Sequence, residues 1–114
     1  MNPAERIALG TTGLAVTRLG LGTAPLGGLF ARVTDAGARR TVERAYAVGL
    51  RFFDTAPLYG HGLAEERLGR ALGGKPRSEF VLATKVGRLL RAGAPPDPSQ
   101  FHDGQPFYKV TSPL

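Results

Sequence analysis

A chain of 114 residues with 42% apolar and 21% charged residues has ordinary globular composition, so one folded domain is expected and whole-chain disorder is not. The absence of cysteine removes disulfide frameworks, thiolate zinc sites and a cysteine nucleophile, and His61 and His102 are too few and too far apart for a histidine metal cluster. The longest uncharged apolar stretch, Leu19 to Ala31, holds 13 residues and four glycines, short of the ~20 a bilayer span needs; with no basic leader at the start, a cytoplasmic protein is expected.

Fifteen Lys plus Arg against nine Asp plus Glu give a formal charge of +6, which raises the question of nucleic acid. Glu43 lies among Arg39, Arg40, Arg44 and Arg51, and Glu65 and Glu66 match Arg67 and Arg70. Charges alternating at helical spacing are the mark of solvated helix faces. No basic run reaches five residues and no aromatics interleave with the arginines as a stacking platform would require, so neither nucleic acid nor membrane is an expected partner.

In chain order, Ile7 and Leu9, the turn Gly10-Thr11-Thr12-Gly13, then Leu14 and Val16 predict a hairpin. A strand at Leu19–Gly22 follows and ends in a loop at Pro25 and Gly27-Gly28. Thr34-Asp35 offers N-cap chemistry to a helix over Asp35–Val48 with Ala38, Val42, Ala45 and Tyr46 on one face, closed by Gly49. Leu50–Asp54 reads as the next strand, and Pro57, Gly60 and Gly62 as a loop. Ala64, Leu68, Ala71 and Leu72 mark a second helix stopped by Gly73-Gly74. The continuous apolar run Phe80-Val81-Leu82-Ala83 suits a strand covered on both faces. Alternation of strand and helix from Leu19 to Lys85 implies an α/β fold with a parallel sheet and outer helices. Residues 92–114, with five prolines between Ala92 and Pro113, read as a loop or disordered end after a folded unit over 1–91.

Two phosphate motifs fail on inspection. Gly20-x-Gly22 has Pro25 at the third glycine position of a dinucleotide fingerprint and no helix directly after it. Gly69 to Lys75 has P-loop spacing, but Pro76 stands where a magnesium-binding Ser or Thr is needed, and the glycines end a helix. A magnesium-dependent nucleotidase is disfavoured on that ground.

Asp54 closes one strand, Tyr59 lies in the loop after it, and Lys85 closes the next strand. Neighbouring parallel strands deliver their C-terminal ends to one edge, where ligand sites of α/β folds form. Taken singly, each residue has a structural role available: Asp54 as a loop cap, Tyr59 as a loop anchor, Lys85 as half of a strand-end ion pair, at least partly buried by its apolar neighbours. Together they make a phenol whose phenolate an ammonium stabilises, with a carboxylate holding the ammonium. Such a hydroxyl can give a proton to a carbonyl or take one from an alcohol as hydride moves, the hydride coming from a nicotinamide.

Leu21-Gly22-Thr23-Ala24-Pro25-Leu26-Gly27, Phe53-Asp54-Thr55-Ala56-Pro57-Leu58-Tyr59-Gly60 and Ala83-Thr84-Lys85-Val86-Gly87 resemble the aldo-keto reductase family, in the branch containing D-threo-aldose, pyridoxal and L-fucose dehydrogenases. The resemblance runs from about Leu9 to Arg91. It implies a (β/α)₈ barrel, NADP or NAD as cofactor, and hydride exchange with an aldehyde, alcohol or aldose C1. It also implies Tyr59 as general acid/base, Lys85 and Asp54 as its tuning pair, and Gly22 and Thr23 beside the nicotinamide. A full barrel needs about 250 residues and eight strands, so the expectation is the N-terminal portion alone: a hairpin, about three parallel strands and two helices. His102 sits in a proline-rich stretch and is not assigned as the family's catalytic histidine, and the adenine and phosphate site has no counterpart in the chain. Such a portion is expected to be inactive alone and to self-associate through its exposed sheet edges. The competing expectation is a non-catalytic half-barrel that pairs with a copy of itself or with another polypeptide.

Overall fold

The computed structural model describes residues 1–87 and Leu90; the expected proline-rich end at 92–114 and His102 lie outside the described residues. The elements are β1 (Arg6–Ala8), β2 (Ala15–Thr17), β3 (Leu21–Gly22), a 3-10 turn (Ala24–Gly27), α1 (Asp35–Ala47), β4 (Phe52–Asp54), α2 (Leu63–Leu72), a second 3-10 turn (Arg77–Glu79) and β5 (Val81–Ala83). β1 and β2 form the predicted antiparallel hairpin, with Ile7 opposite Val16, and Gly10 and Gly13 supply the positive φ of its turn. The second sheet is parallel, in the order β3-β4-β5. The described residues form no closed barrel.

α1 starts where the cap chemistry put it: Thr34 is extended and its hydroxyl accepts from Gly37 N at 3.0 Å. The helix ends through Gly49 at φ +99°, whose N–H donates to Tyr46 O. Ala38, Val42 and Ala45 of α1 meet Ala64, Leu68, Ala71 and Leu72 of α2 over Phe53 of the central strand, which is fully buried. Phe53 and Phe80 stack edge to face, with centroids 6.2 Å apart at 87°. At the opposite end of the sheet from the strand termini, the Arg51 guanidinium lies 3.6 Å over the Tyr46 ring, and Tyr46 donates its hydroxyl proton to Glu79.

Two expectations need correction. β5 is not covered on both faces: Leu82 is 41% exposed, because among the described residues no further strand or helix follows to shelter this edge. α2 ends at Leu72 before Gly73-Gly74 as expected, with Gly73 still right-handed (φ −59°, ψ −25°). Arg67 does not face water beside Glu65: it is 8% exposed and pairs with Asp35 across to α1, since its position on α2 points into the loop that precedes α1. The other helix charges are as expected, with Arg39–Glu43 and Arg70–Glu66 paired one turn apart on exposed faces.

Candidate active site

The register of the parallel sheet aligns the strand ends. Gly22 stands opposite Asp54, and Asp54 opposite Ala83, so three strands finish on one row. The row is extended by backbone bonds just beyond it: Thr23 N donates to Asp54 O at 2.9 Å and Thr55 N to Ala83 O at 2.8 Å. Parallel pairing thus delivers the residues that follow each strand to a common edge.

Lys85 leaves β5 on that edge and reaches back to the middle strand. Its Nζ lies 3.2 and 3.4 Å from the two Asp54 carboxylate oxygens and donates to Thr55 O at 3.0 Å. The same nitrogen sits 5.0 Å from the centroid of the Tyr59 ring. Asp54, Tyr59 and Lys85, predicted to share an edge, are therefore brought together. Lys85 differs from expectation in its exposure: half of its side chain (51%) is in solvent, because the residues flanking it stand beyond the end of a short edge strand. Burial of the ammonium pulls its pKa down, but the hydrogen bonds to Tyr59 and to Asp54, and the charges of both, outweigh that and hold it above 10.5. The amine is a cation at neutral pH.

The loop that carries Tyr59 is tightly turned. Tyr59 N donates to Ala56 O at 3.1 Å, Gly62 N to Pro57 O at 2.8 Å, and the Tyr59 carbonyl accepts from Ala64 N at the start of α2 at 3.0 Å. Gly60, His61 and Gly62 all have positive φ, at +70°, +54° and +89°. Left-handed backbone at a histidine costs energy that the surrounding bonds must cover. The run of three reverses the chain directly after Tyr59 and leads into α2. Ala56, Pro57, Leu58, Tyr59, Lys85 and Val86 line a cavity of about 330 Å³ beside the phenol and the amine.

Gly22 and Thr23 end the neighbouring strand. A Cβ placed on Gly22 would meet nothing within 4 Å, so space beyond this strand end is open. Thr23 is fully buried, and its hydroxyl donates to Asp54 O at 3.0 Å, so its side chain anchors the backbone of the aspartate. The open face at Gly22 stands on the same row of strand ends as Asp54, and Thr23 is turned inward from it. Among the described residues, Lys85 is the only cation lining the cavity beside the phenol, and it is already engaged by Asp54.

Two supports were not legible beforehand. The Glu65 carboxylate on α2 accepts from Thr84 Oγ1 at 2.7 Å, fixing the residue immediately before Lys85. Gly27 and Gly60 are in backbone contact: a Cβ on Gly27 would fall 2.7 Å from Gly60 N and closer still to the Tyr59 carbonyl group. Sequence signals existed for the second, since both glycines border the quoted motifs, but nothing linear tells which glycines meet.

Residues 18–105 match the model of the aldo/keto reductase family. The chain is similar to the pyridoxal 4-dehydrogenase of Microbacterium luteolum, with 48% identity covering 96% of this chain and 35% of that protein. It is similar to the D-threo-aldose 1-dehydrogenase of a Pseudomonas species, with 46% identity covering 89% and 31%. Among solved structures, an aldo-keto reductase of Bacillus halodurans in its holo form superposes with a TM-score of 0.69 at 38% identity, over 79% of this chain and 28% of that one. A glycerol dehydrogenase of Gluconobacter oxydans gives 0.65 at 30% identity, over 96% and 31%. The chain therefore spans about a third of the length of the curated relatives it matches, and its sheet and helices correspond to part of a TIM barrel. With matched motifs, matched backbone and one row of strand ends in agreement, this chain belongs to the aldo/keto reductase family.

Proposed function

We propose that this chain carries the proton-transfer half of an NAD(P)-dependent oxidoreductase site, in which Tyr59 is the general acid/base, Lys85 its tuning cation and Asp54 the anchor of that cation. The observation that carries the reading is the Lys85 Nζ held 3.2 Å from Asp54 and against Tyr59, at the open end of a parallel sheet. Hydride transfer is the chemistry a bound nicotinamide supplies. Tyr59 gives its hydroxyl proton to the oxygen of an aldehyde as that carbon is reduced, or takes the proton of an alcohol or aldose C1 hydroxyl in the reverse direction. The ammonium of Lys85 stabilises the phenolate left behind, and Asp54 keeps the ammonium charged and aimed. Gly22 leaves room for the ring, and Thr23 holds the Asp54 backbone in register. Small carbonyl compounds or sugars are the substrate class, and the cytoplasm the site of action. The chain alone supplies no turnover, because the described strands leave the far wall of the site unbuilt.

The decisive experiment replaces the matched third of a full-length aldo-keto reductase relative with this chain. NAD(P)-dependent turnover is expected in the chimera, and Tyr59→Phe should lower it by about 10²–10⁴-fold. Equal rates with and without the Tyr59 hydroxyl would refute the assignment, and turnover by the isolated chain above a Tyr59→Phe control would refute its inactivity.

One observation favours a second reading, an interaction module without catalysis. Leu68, Leu72, Phe80 and Leu82 line an open groove of about 370 Å³ between α2 and the edge strand. A compact oligomer in size-exclusion chromatography that ignores both nicotinamide cofactors would favour it.

A further inference from the structure

We propose that Arg67 is a positioning residue for Tyr59, holding the phenol loop in place through the loop that joins β3 to α1. The proposal takes Tyr59 as the acid–base group argued above. Arg67 is the one charged side chain of α2 among the buried residues of that helix, beside Ala64, Leu68, Ala71 and Leu72. Among the described residues its guanidinium bonds to Leu26, Val33 and Asp35. Nη1 donates to Leu26 O at 2.6 Å, Nη2 to Val33 O at 2.8 Å, and Nε to Asp35 Oδ1 at 2.8 Å. The two carbonyls lie towards opposite ends of the β3–α1 loop, and the carboxylate opens α1, so one rigid fork closes the whole connection.

The next residue after Leu26 is where that connection touches the site. Gly27 packs so closely on the Tyr59–Gly60 backbone that neither glycine has room for a Cβ: one on Gly60 would fall 2.8 Å from Gly27 Cα and nearer still to Gly27 O. Leu26 N in turn donates to Thr23 O at 2.9 Å, tying the same turn to the end of β3. The path from Arg67 to Tyr59 therefore runs through backbone in van der Waals contact, Leu26 carbonyl to Gly27 to the Tyr59 peptide. Displacing the Leu26 carbonyl frees Gly27 to move, and the Tyr59 loop loses its floor. An apolar side chain would fill the same place on α2 without burying a charge, so the guanidinium serves to fix the loop path. Its described bonds go to the β3–α1 connection and to Asp35, so it acts through position.

The test uses the full chain and needs no turnover. The ammonium of Lys85 is titrated by carbon NMR at its Cε, with and without Tyr59→Phe, in the wild-type and Arg67→Met backgrounds. In the wild-type chain Tyr59→Phe should move the Lys85 midpoint downward; in Arg67→Met that shift should be lost, because the phenol is already displaced. Leu68→Ala, which loosens the same helix without removing a hydrogen bond to the loop, should retain the shift. An undiminished shift in Arg67→Met, or its loss in Leu68→Ala as well, overturns the positioning role while leaving the Tyr59 site standing. No shift in the wild-type chain overturns both. Should Arg67→Met fail to fold, Arg67→Lys, which keeps the charge but loses the planar fork, carries the same comparison and is expected to reduce the shift.

Discussion

Gly60→Ala tests how the site is held, because two costs combine at one atom. Gly60 has φ +70°, a conformation in which an L side chain costs about 1–2 kcal/mol. The added Cβ would also fall 2.8 Å from Gly27 Cα, against backbone that has no flexible end to yield. Forcing a methyl into packed surroundings costs roughly 1–3 kcal/mol more. Gly10→Ala supplies the control, since its φ of +54° carries the strain while nothing lies within 4 Å of its Cβ. The assay is urea unfolding followed by far-ultraviolet circular dichroism, as the chain has no tryptophan. Gly60→Ala should be less stable than Gly10→Ala by about 1–3 kcal/mol, the packing contribution alone. Equal losses would mean that the two loops do not press on each other, and the account of how Tyr59 is supported would fail.

Asp54→Asn should lower the Lys85 titration midpoint in carbon NMR. Because the folded value lies above the ordinary 10.5, the contact stabilises the fold fully below that pH and is lost as pH rises through the folded value; the variant should lack this alkaline loss. Tyr46 is raised above 10.0 by its hydrogen bond to Glu79 first and by burial second, with Arg51 opposing, so Glu79→Gln should bring phenolate absorbance in at lower pH, and an unchanged titration would deny the bond. Thr34→Ala removes the acceptor for Gly37 N and should cost about 1 kcal/mol in the same urea titration.

The parts of the fold written in local chemistry were legible. The Gly10 to Gly13 turn, the Thr34 cap, the Gly49 stop and the apolar stripes of both helices each depend on neighbours within a few residues, and each forms where expected. The Asp54–Tyr59–Lys85 cluster was legible because parallel pairing brings strand ends together whatever the side chains do. What escaped depends on partners distant in sequence. Arg67 among Glu65, Glu66 and Arg70 has the pattern of a solvated face, and only the loop folded beneath it makes it a buried fork. Leu82 reads as core in any linear pattern, and whether it is covered is decided by the next element to pack on β5. His61 carries no sign in the sequence of its left-handed backbone, φ +54°.

The even spacing of the site has a consequence for biosynthesis. Thr23 binds the Asp54 carbonyl across 31 positions, and Lys85 binds the Asp54 carboxylate across another 31. Each closure is a short loop with a modest entropic cost. A ribosome that has released the segment through Gly87 has already exposed Thr23, Asp54, Tyr59 and Lys85, so this corner can condense as soon as Gly87 has emerged.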